Sequence, residues 1–295
     1  MGHPILEADW LAPLVRRLRV RAPHVVRHCQ PGQFVIVRHK PGAERIPLTI
    51  AGCDRSAGTI DLIIQAVGAT TRQICALEAG STLSDVAGPL GSPTHIEYVG
   101  HAVIVGGGVG TAVIFPQAGE LKEKENRVSA IIGGRSKPYV ILERELNQVC
   151  DQVFPCTDDG SYGYHGFVTN RLRELIEDYE WLDPVKLVLC AGPVPMMRAV
   201  AELTRPMKIR TVASLNPIMV DGTGMCGGCR VQVGGQMKFA CVDGPEFDAH
   251  AVDFAELCNR LTTYRPHEQR ANQRAVAPQE SHKCRLTGAM VGGAA

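Results

Sequence analysis

The sequence predicts an antiparallel β-barrel, then a parallel-sheet α/β domain, then a small module rich in glycine and cysteine. Residues 1–98 read as short β-branched runs separated by Gly, Pro and Asp, which is typical of a barrel. Residues 99–212 alternate apolar strands with helical stretches, as a parallel sheet requires. Residues 213–265 carry closely spaced cysteines among glycines. Residues 266–295 are polar and aperiodic, so we expect an unstructured tail or a docking arm.

The composition is that of an ordinary globular protein with two domains and a minor module. The chain has 295 residues, 45% of them hydrophobic, and its 31 Lys and Arg nearly balance its 30 Asp and Glu. This balance favours neither nucleic acid nor an anionic membrane as a partner. The sequence has no apolar run of the roughly 18 residues that a membrane span needs, and its first residues do not resemble a signal peptide. We therefore expect a cytoplasmic protein without a membrane span.

Runs of apolar residues define the expected elements of the first two domains. The barrel strands are expected at residues 14–20, 33–38, 46–51 and 59–67. The strands of the parallel sheet are expected at residues 102–105, 127–132, 152–154 and 186–191. The helices between and after them are expected at residues 111–124, 139–148, 167–176 and 196–204.

Two segments of the barrel domain combine residues that suit a nucleotide cofactor. Arg45-Ile46-Pro47-Leu48-Thr49 opens the third expected strand, and Gly68-Ala69-Thr70-Thr71 follows the fourth. An Arg guanidinium can pair with a diphosphate, while threonine hydroxyls and turn amides can bond a flavin ring edge or a phosphate. Each segment alone fits ordinary turn chemistry equally well. Their joint occurrence ahead of a glycine-rich turn favours a cofactor site.

That glycine-rich turn joins the first strand of the second domain to its first helix. It reads Gly106-Gly107-Gly108-Val109-Gly110. Glycines let a backbone approach a pyrophosphate, and a helix N-terminus offers it free N–H groups, although simple close contact of strand and helix also requires glycines. The position at the head of the parallel sheet favours nucleotide binding. Arg135, after the second strand, could meet an adenosine 2′-phosphate or stack on adenine.

The strongest chemical signal is a cysteine-containing loop in the third module. It reads Asp221-Gly222-Thr223-Gly224-Met225-Cys226-Gly227-Gly228-Cys229, and Cys241 follows twelve residues later. A C-x4-C-x2-C spacing with one distant cysteine is the plant-type [2Fe–2S] pattern, here with Asp221 in the first position. An Asp carboxylate is a harder donor than a thiolate but a reasonable iron ligand. The alternatives are a zinc site completed by Cys258 and a redox disulfide between Cys226 and Cys229.

The remaining cysteines give no such pattern. The chain has eleven cysteines, which is a high number for a reducing compartment, where a disulfide framework is not expected. Six of them stand singly, as small buried hydrophobic residues usually do: Cys29, Cys53, Cys75, Cys150, Cys156 and Cys284.

Taken in order, these segments resemble the ferredoxin–NADP reductase superfamily, and within it the electron-transfer subunit of dihydroorotate dehydrogenase B. They also resemble two relatives of that subunit, the sulfide dehydrogenase-like subunit and the small subunit of NADH-dependent reduced ferredoxin:NADP oxidoreductase. The resemblance covers about residues 5–262. It implies FAD in the barrel domain, a nicotinamide nucleotide in the α/β domain and one [2Fe–2S] cluster in the third module. It also implies a larger flavin and iron–sulfur partner subunit, with ferredoxin as a further partner.

The resemblance assigns roles to residues of this chain. It implies flavin contacts from Arg45, Pro47, Leu48, Thr49, Gly68, Thr70 and Thr71, and a nucleotide turn at Gly106, Gly107, Gly108 and Gly110. It implies further nucleotide contacts from Asp158 in Thr157-Asp158-Asp159-Gly160-Ser161, and from Gly192 and Pro193 beside the nicotinamide ring. It implies cluster ligands at Asp221, Cys226, Cys229 and Cys241.

Two departures from the family pattern refine the functional hypothesis. The glycine turn continues into Thr111-Ala112-Val113, where the family has Ile-Ala-Pro, and Asp221 replaces a cysteine of the dihydroorotate type. The Asp resembles the bifurcating and sulfide dehydrogenase branch. We therefore expect an oxidoreductase subunit that moves electrons between NAD(H), FAD and the cluster, with NADP(H) as the less favoured nucleotide and no acid–base catalytic residue. The alternatives are a dihydroorotate dehydrogenase B subunit and a non-catalytic scaffold held by zinc.

Overall fold

The first part of the computed structural model, which describes residues 2–179 and 183–276, is a seven-stranded antiparallel sheet curled into a barrel. Its strands are β1 (His3–Ala12), β2 (Val15–Arg21), β3 (Phe34–Arg38), β4 (Ile46–Asp54), β5 (Thr59–Gln65), β6 (Thr82–Leu83) and β7 (Asp85–Leu90). Two short helices, α1 (Pro23–Val26) and α2 (Ala69–Cys75), lie between them. The strands follow the spatial order β6-β1-β2-β5-β4-β3-β7.

The four predicted barrel strands are β2 to β5, and β1 was not predicted. Strand β1 is mostly exposed and buries only Ile5 and Ala12, so its sequence lacks a regular apolar alternation. Its acidic side chains instead meet basic residues of β2. Glu7 pairs with Arg19 at 2.7 Å, and Asp9 lies 3.8 Å from Arg17.

The second part is a sheet covered by helices on both faces. Its strands are β8 (His101–Gly107), β9 (Arg127–Gly134), β10 (Gln152–Thr157), β11 (Tyr164–His165), β12 (Val185–Ala191) and β13 (Arg210–Ser214). Its helices are α3 (Thr111–Glu123), α4 (Glu143–Val149), α5 (Val168–Asp178) and α6 (Val194–Thr204). These six strands are parallel, and β8 is buried along nearly its whole length, as expected for a strand shielded on both faces.

One helix of this part begins later than the sequence predicts. The helix expected at residues 139–148 begins at Glu143, after a short 3-10 turn at Lys137–Tyr139. Ile141 and Leu142 are buried, and Leu142 adopts a left-handed backbone with φ of 59°. The chain turns there to place two apolar side chains in the core before the helix starts.

The third part contributes a hairpin, a returning strand and two helices. These are β14 (Arg230–Val233), β15 (Gln236–Phe239), β16 (Glu246–Asp248), α7 (Phe254–Leu261) and α8 (Arg265–Val276). Strand β16 pairs antiparallel with β13, so this part adds the outermost strand of the parallel sheet. The predicted tail begins with helix α8, which contacts α2. Residues 277–295, including Cys284, lie outside the described residues.

The three parts share packed cores. Phe34 and Ile36 of β3 belong to the same buried cluster as the strands of the parallel sheet and the thiols of Cys229 and Cys241. A second cluster fills the barrel interior. A third joins the barrel to the face of the parallel sheet covered by α3. Among residues 2–179 and 183–276, no helix is both long and apolar enough to cross a membrane.

Glu246 connects the three parts through a single carboxyl oxygen. Its Oε1 accepts hydrogen bonds from the hydroxyl of Thr94, at 2.8 Å, and from the side-chain amide of Gln117. Thr94 lies between the barrel and the parallel sheet, and Gln117 is a buried residue of α3. Burial raises the pKa of Glu246 to about 7, although the Thr94 hydrogen bond opposes this.

Replacing Glu246 with Gln should stabilise the protein at alkaline pH relative to wild type. The folded state keeps the Glu246 proton up to about pH 7, whereas the unfolded chain releases it near the ordinary pKa of 4.5. The wild-type free energy of unfolding therefore falls as pH rises through this window. We expect the variant to gain up to about 3 kcal/mol over wild type between pH 4.5 and pH 8, measured by urea unfolding.

The matched control is Glu177→Gln, which makes the same substitution at an exposed residue of α5. The difference between this variant and wild type at each pH is the baseline for the Glu246→Gln measurement. If the difference between Glu246→Gln and wild type is the same at both ends of the range, burial does not raise the pKa of Glu246.

Candidate functional site

The predicted flavin motif lies on a part of β4 that pairs with a neighbouring strand on one side only. Pro47, Leu48 and Thr49 pair with β3, but β4 pairs with β5 only from Ile50 onward. One backbone edge of this stretch is therefore free of strand pairing, and Pro47 can occupy it without losing a ladder hydrogen bond. Leu48 is buried in the barrel core and anchors the strand, while Arg45 is exposed just before it.

The second predicted flavin segment is joined to the first by a side-chain hydrogen bond. The hydroxyl of Thr70 donates to the carboxylate of Glu44, which directly precedes Arg45. The hydroxyl of Thr71 accepts from the Gly68 amide at 2.9 Å and caps α2. Thr70 thus ties the start of α2 to the residue before Arg45, while Thr71 caps the helix.

The glycine turn combines close contact with one open position. A Cβ on Gly110 would overlap the carbonyl of Ala191, and a Cβ on Gly107 would come within 3.0 Å of Pro193 Cδ. These glycines are required because the loop after β12 lies directly against the turn. Gly108 is different, since it has a positive φ of 55° and nothing within 4 Å of where its Cβ would be. Of these three glycines, only Gly108 faces open space.

The glycine turn and the Gly192–Pro193 loop lie at the switch point of the sheet. Strands β8 and β12 are parallel neighbours, with Gly106 opposite Ala191. The strand that follows β8 lies on one side of this pair, and the strand that follows β12 lies on the other. Ligands of open α/β sheets bind at the carboxyl ends of strands at such a point. The barrel borders this switch point, because β5 contacts the Gly108–Gly110 turn and β4 contacts α3.

Two exposed charged residues, Arg135 and Asp158, lie on neighbouring segments farther along the same edge of the sheet. The amide of Asp158 donates to the Gly134 carbonyl at 3.1 Å, and that of Asp159 donates to the Arg135 carbonyl at 3.2 Å. Arg135 and Asp158 are both exposed there. An Arg suits a 2′-phosphate, whereas a carboxylate accepts from a ribose 2′-hydroxyl and repels a phosphate.

The Asp221 carboxylate organises the loop of the third part. It accepts hydrogen bonds from the Thr223 amide at 3.1 Å and the Cys226 amide at 3.0 Å. These bonds, led by the one from Thr223, lower the pKa of Asp221. The Gly228 amide contacts the Cys226 sulfur at 3.4 Å, and Arg260 of α7 donates to the Gly228 carbonyl at 3.2 Å. The loop therefore turns its amides towards the predicted ligand atoms of Asp221 and Cys226, and the Arg260 guanidinium lies against its backbone.

The four predicted ligands form two pairs. Cys226 Sγ lies 3.4 Å from Asp221 Oδ1, and Cys229 Sγ lies 3.2 Å from Cys241 Sγ. Two pairs fit a two-iron cluster, in which each iron takes two protein ligands. A single zinc ion needs one convergent set, and within the described ranges no three His, Cys, Asp or Glu side chains form one. The donor set therefore fits the cluster better than the zinc alternative.

The loop rests directly on the barrel. A Cβ on Gly222 would come 2.7 Å from Leu90 Cδ1 and 3.0 Å from Ile36 Cγ1. Ile36 is in turn the β3 partner of Pro47 in the flavin motif. Ser92, just after β7, strengthens this contact by donating to the carbonyls of Gly244 and Val242 at 2.7 and 2.9 Å.

Sequence reasoning missed the residues that join the sites. They are Ile36, Glu44, Leu90, Gln117 and Glu246. The available signal was the uninterrupted apolar run Phe-Val-Ile-Val in β3, because a barrel strand without polar alternation must be covered on its outer face. The others carried no local signal, since their contacts come from distant parts of the chain.

The third part matches a family model. Residues 216–253, which include all four predicted ligands, match the iron–sulfur cluster binding domain of dihydroorotate dehydrogenase B. The chain is 42% identical over 255 residues to a Thermotoga maritima dihydroorotate dehydrogenase B electron transfer subunit homolog, covering 86% of this chain and 89% of that relative. It is 32% identical over 239 residues to the electron transfer subunit of Shouchella clausii, covering 77% and 88%.

Solved structures share all or part of the fold. A chain of the NADH-dependent reduced ferredoxin-NADP oxidoreductase, described for flavin-based electron bifurcation, is 39% identical with a TM-score of 0.87. The similarity covers 94% of this chain and 99% of that one. A cytochrome P450 reductase of Amycolatopsis, 20% identical with a TM-score of 0.58 over 70% of this chain and 66% of that one, shares the fold alone.

Gly110→Ala and Gly119→Ala should change stability in opposite directions. Both glycines border or lie within α3, but a Cβ on Gly110 meets a fixed backbone carbonyl, whereas a Cβ on Gly119 meets nothing within 4 Å. We expect Gly110→Ala to lower the free energy of unfolding by about 1–3 kcal/mol. Gly119→Ala should raise it by about 0.5–1 kcal/mol, because Ala restricts the unfolded chain. Equal effects in thermal unfolding would show that the turn does not depend on this contact.

Proposed function

The chain belongs to the family of dihydroorotate dehydrogenase B electron-transfer subunits and their homologues, and from this premise we propose its redox path. It carries electrons between NAD(H), a bound FAD and one [2Fe–2S] cluster, and passes them to or from a larger subunit. The observation that carries the proposal is the contact of the cluster loop with β3, the strand paired with the flavin motif. The nucleotide turn meets the barrel from the other side, through β5.

The chain's own residues would hold each cofactor. When bound, FAD takes electrons from a nicotinamide as a pair and gives them up singly, which suits a one-electron cluster. Arg45 would pair with the FAD diphosphate, and the free edge at Pro47 and Thr49 would face the ring. The open turn at Gly108 would receive the nucleotide pyrophosphate, with Gly192 beside the nicotinamide.

The ligand set would give the two ends of the cluster different surroundings. Cys226 is exposed and is paired with a carboxylate, whereas Cys229 and Cys241 are buried. Hydrogen bonds to sulfur, solvent exposure and donor type all change the reduction potential of such a cluster. The Gly228 amide contributes such a bond to Cys226. This asymmetry supports a cluster that exchanges electrons at its exposed end.

The proposed partner is a larger flavin and iron–sulfur subunit of the bifurcating type. Asp221 in place of the first cysteine supports this choice over the dihydroorotate type, and ferredoxin would then be a further partner. Co-purification with an FMN-containing dihydroorotate dehydrogenase subunit would reverse the choice. We propose the cytoplasm as the location, because the ligand cysteines must remain reduced to bind iron.

The first experiment is a visible absorption spectrum of the anaerobically purified chain, before and after NADH. We expect flavin and iron–sulfur bands, and we expect both to bleach on addition of NADH. In Cys241→Ser the iron–sulfur bands should be lost while flavin bleaching remains, because this ligand lies outside the barrel. A colourless protein that contains zinc would contradict the proposal and favour the scaffold alternative.

Nucleotide choice should depend on Asp158 more than on Arg135. If Asp158 accepts from the ribose 2′-hydroxyl, Asp158→Ala should lower kcat/KM for NADH about tenfold and affect NADPH less, since NADPH lacks that hydroxyl. Arg135→Ala should leave the relative use of the two nucleotides unchanged. Steady-state reduction of a dye acceptor measures both. A selective loss of NADPH activity in Arg135→Ala would instead assign Arg135 to a 2′-phosphate.

A further inference from the structure

Two cysteines that the sequence presents as isolated residues form a close pair in the barrel. Cys29 follows α1, and Cys53 lies near the end of β4, 24 residues later. Their sulfur atoms are 3.1 Å apart, with the Cys29 thiol donating to the Cys53 sulfur. This separation is comparable to the 3.2 Å between the sulfurs of Cys229 and Cys241. Within residues 2–179 and 183–276, no further His, Cys, Asp or Glu joins the barrel pair to form a metal site.

The backbone on both sides of the pair is fixed. The guanidinium of Arg55, two residues after Cys53, donates to the carbonyl of Val26 at 3.1 Å and to that of Cys29 at 3.4 Å. The amide of Ala22, just before α1, donates to the Gly58 carbonyl at 3.0 Å. These bonds hold the end of α1 against the turn between β4 and β5. The two sulfurs therefore meet without any rearrangement of the chain.

The two thiols differ in access. Cys29 is 5% exposed, whereas Cys53 is an exposed residue at the surface. Burial, and after it the hydrogen bond to Cys53, raises the pKa of Cys29 to about 12. Cys29 thus retains its proton and directs it at the Cys53 sulfur. An accessible sulfur beside a buried thiol is the arrangement of an attacking and a resolving cysteine.

We propose that Cys29 and Cys53 form a reversible disulfide by exchange with a low-molecular-weight disulfide of the glutathione class. Cys53 gives its proton to water, and its sulfur attacks one sulfur of the small disulfide, which forms a mixed disulfide and releases one small thiolate. The Cys29 proton passes to that thiolate as the Cys29 sulfur attacks the Cys53 sulfur and expels the second small thiolate. The second thiolate takes up a proton from water. Two protein thiols are oxidised to one disulfide, and the small disulfide is reduced to two thiols.

The cross-link would close a loop around the flavin motif. Residues 29–53 contain β3 and nearly all of β4, including Arg45, Pro47 and Thr49. The site is independent of the proposed electron path, because neither cysteine is a predicted ligand or cofactor contact. Oxidation would restrain the strands that carry the motif, and we expect it to raise the thermal midpoint by roughly 5 °C.

The test uses the full-length chain, purified anaerobically with its cofactors and equilibrated with mixtures of reduced and oxidised glutathione. The samples are quenched in acid and unfolded in urea, their free thiols are alkylated with a maleimide at near-neutral pH, and the digested peptides are analysed by mass spectrometry. We expect the peptides containing Cys29 and Cys53 to become joined, with a mass lower by two hydrogens, and to separate again when reduced glutathione is restored. Full alkylation of both cysteines in oxidised glutathione alone would overturn the proposal.

Single variants test the two roles. In Cys29→Ser, Cys53 should stop at the mixed disulfide and carry one glutathione, because no resolving thiol remains. In Cys53→Ser, Cys29 should stay alkylatable, because the attacking sulfur is gone. Cys258→Ser removes another exposed cysteine and should leave the cross-link unchanged. A glutathione adduct on Cys29 in Cys53→Ser would contradict the assigned order of attack.

Discussion

Strand β3 is buried on both faces, and the arrangement of the three parts depends on it. Val35 and Val37 fill the barrel interior, while Phe34 and Ile36 belong to the core that contains the thiols of Cys229 and Cys241. Apolar side chains on both faces of one strand must be covered from both sides to leave water. The loop at Gly222 covers the outer face, and this places the predicted ligand pairs one strand away from the predicted flavin motif. Burial of apolar surface thus sets the distance between the two proposed redox sites.

The order of the parts could be predicted because each has a local signature. Apolar periodicity distinguished barrel strands from βαβ units, and the cysteine spacing located the cluster loop; the resulting fold and family are confirmed. Strand β1 was not predicted because its sequence has no regular apolar alternation. Its acidic side chains pair with basic side chains of β2, which the sequence of β1 alone does not indicate. Helix α8 was not predicted because its sequence has no clear apolar face, and the helix instead forms in contact with α2. The role of each site residue stays a prediction.

Glycine is needed for different physical reasons at different positions of the site. Gly107 and Gly110 are small because the loop after β12 lies against them, whereas Gly108 has room and needs its positive φ. A glycine motif in a sequence cannot separate these causes, since close contact and ligand access both exclude a side chain. The cysteines show the same ambiguity. Spacing predicts Cys226 and Cys229 as ligands, but only the fold brings Cys29 to Cys53.

The pairing of β16 with β13 limits how this protein can be divided. The hairpin of β14 and β15 and the loop at Asp221 look like a compact unit in the sequence, yet the segment that follows them returns to the parallel sheet. Cutting the chain after β13 would leave that strand with an unpaired edge of N–H and C=O groups, and such edges promote aggregation. The cut would also leave Gln117 without the carboxylate it bonds. An engineer who wants to transplant this cluster-binding unit onto another protein must therefore carry the sheet with it.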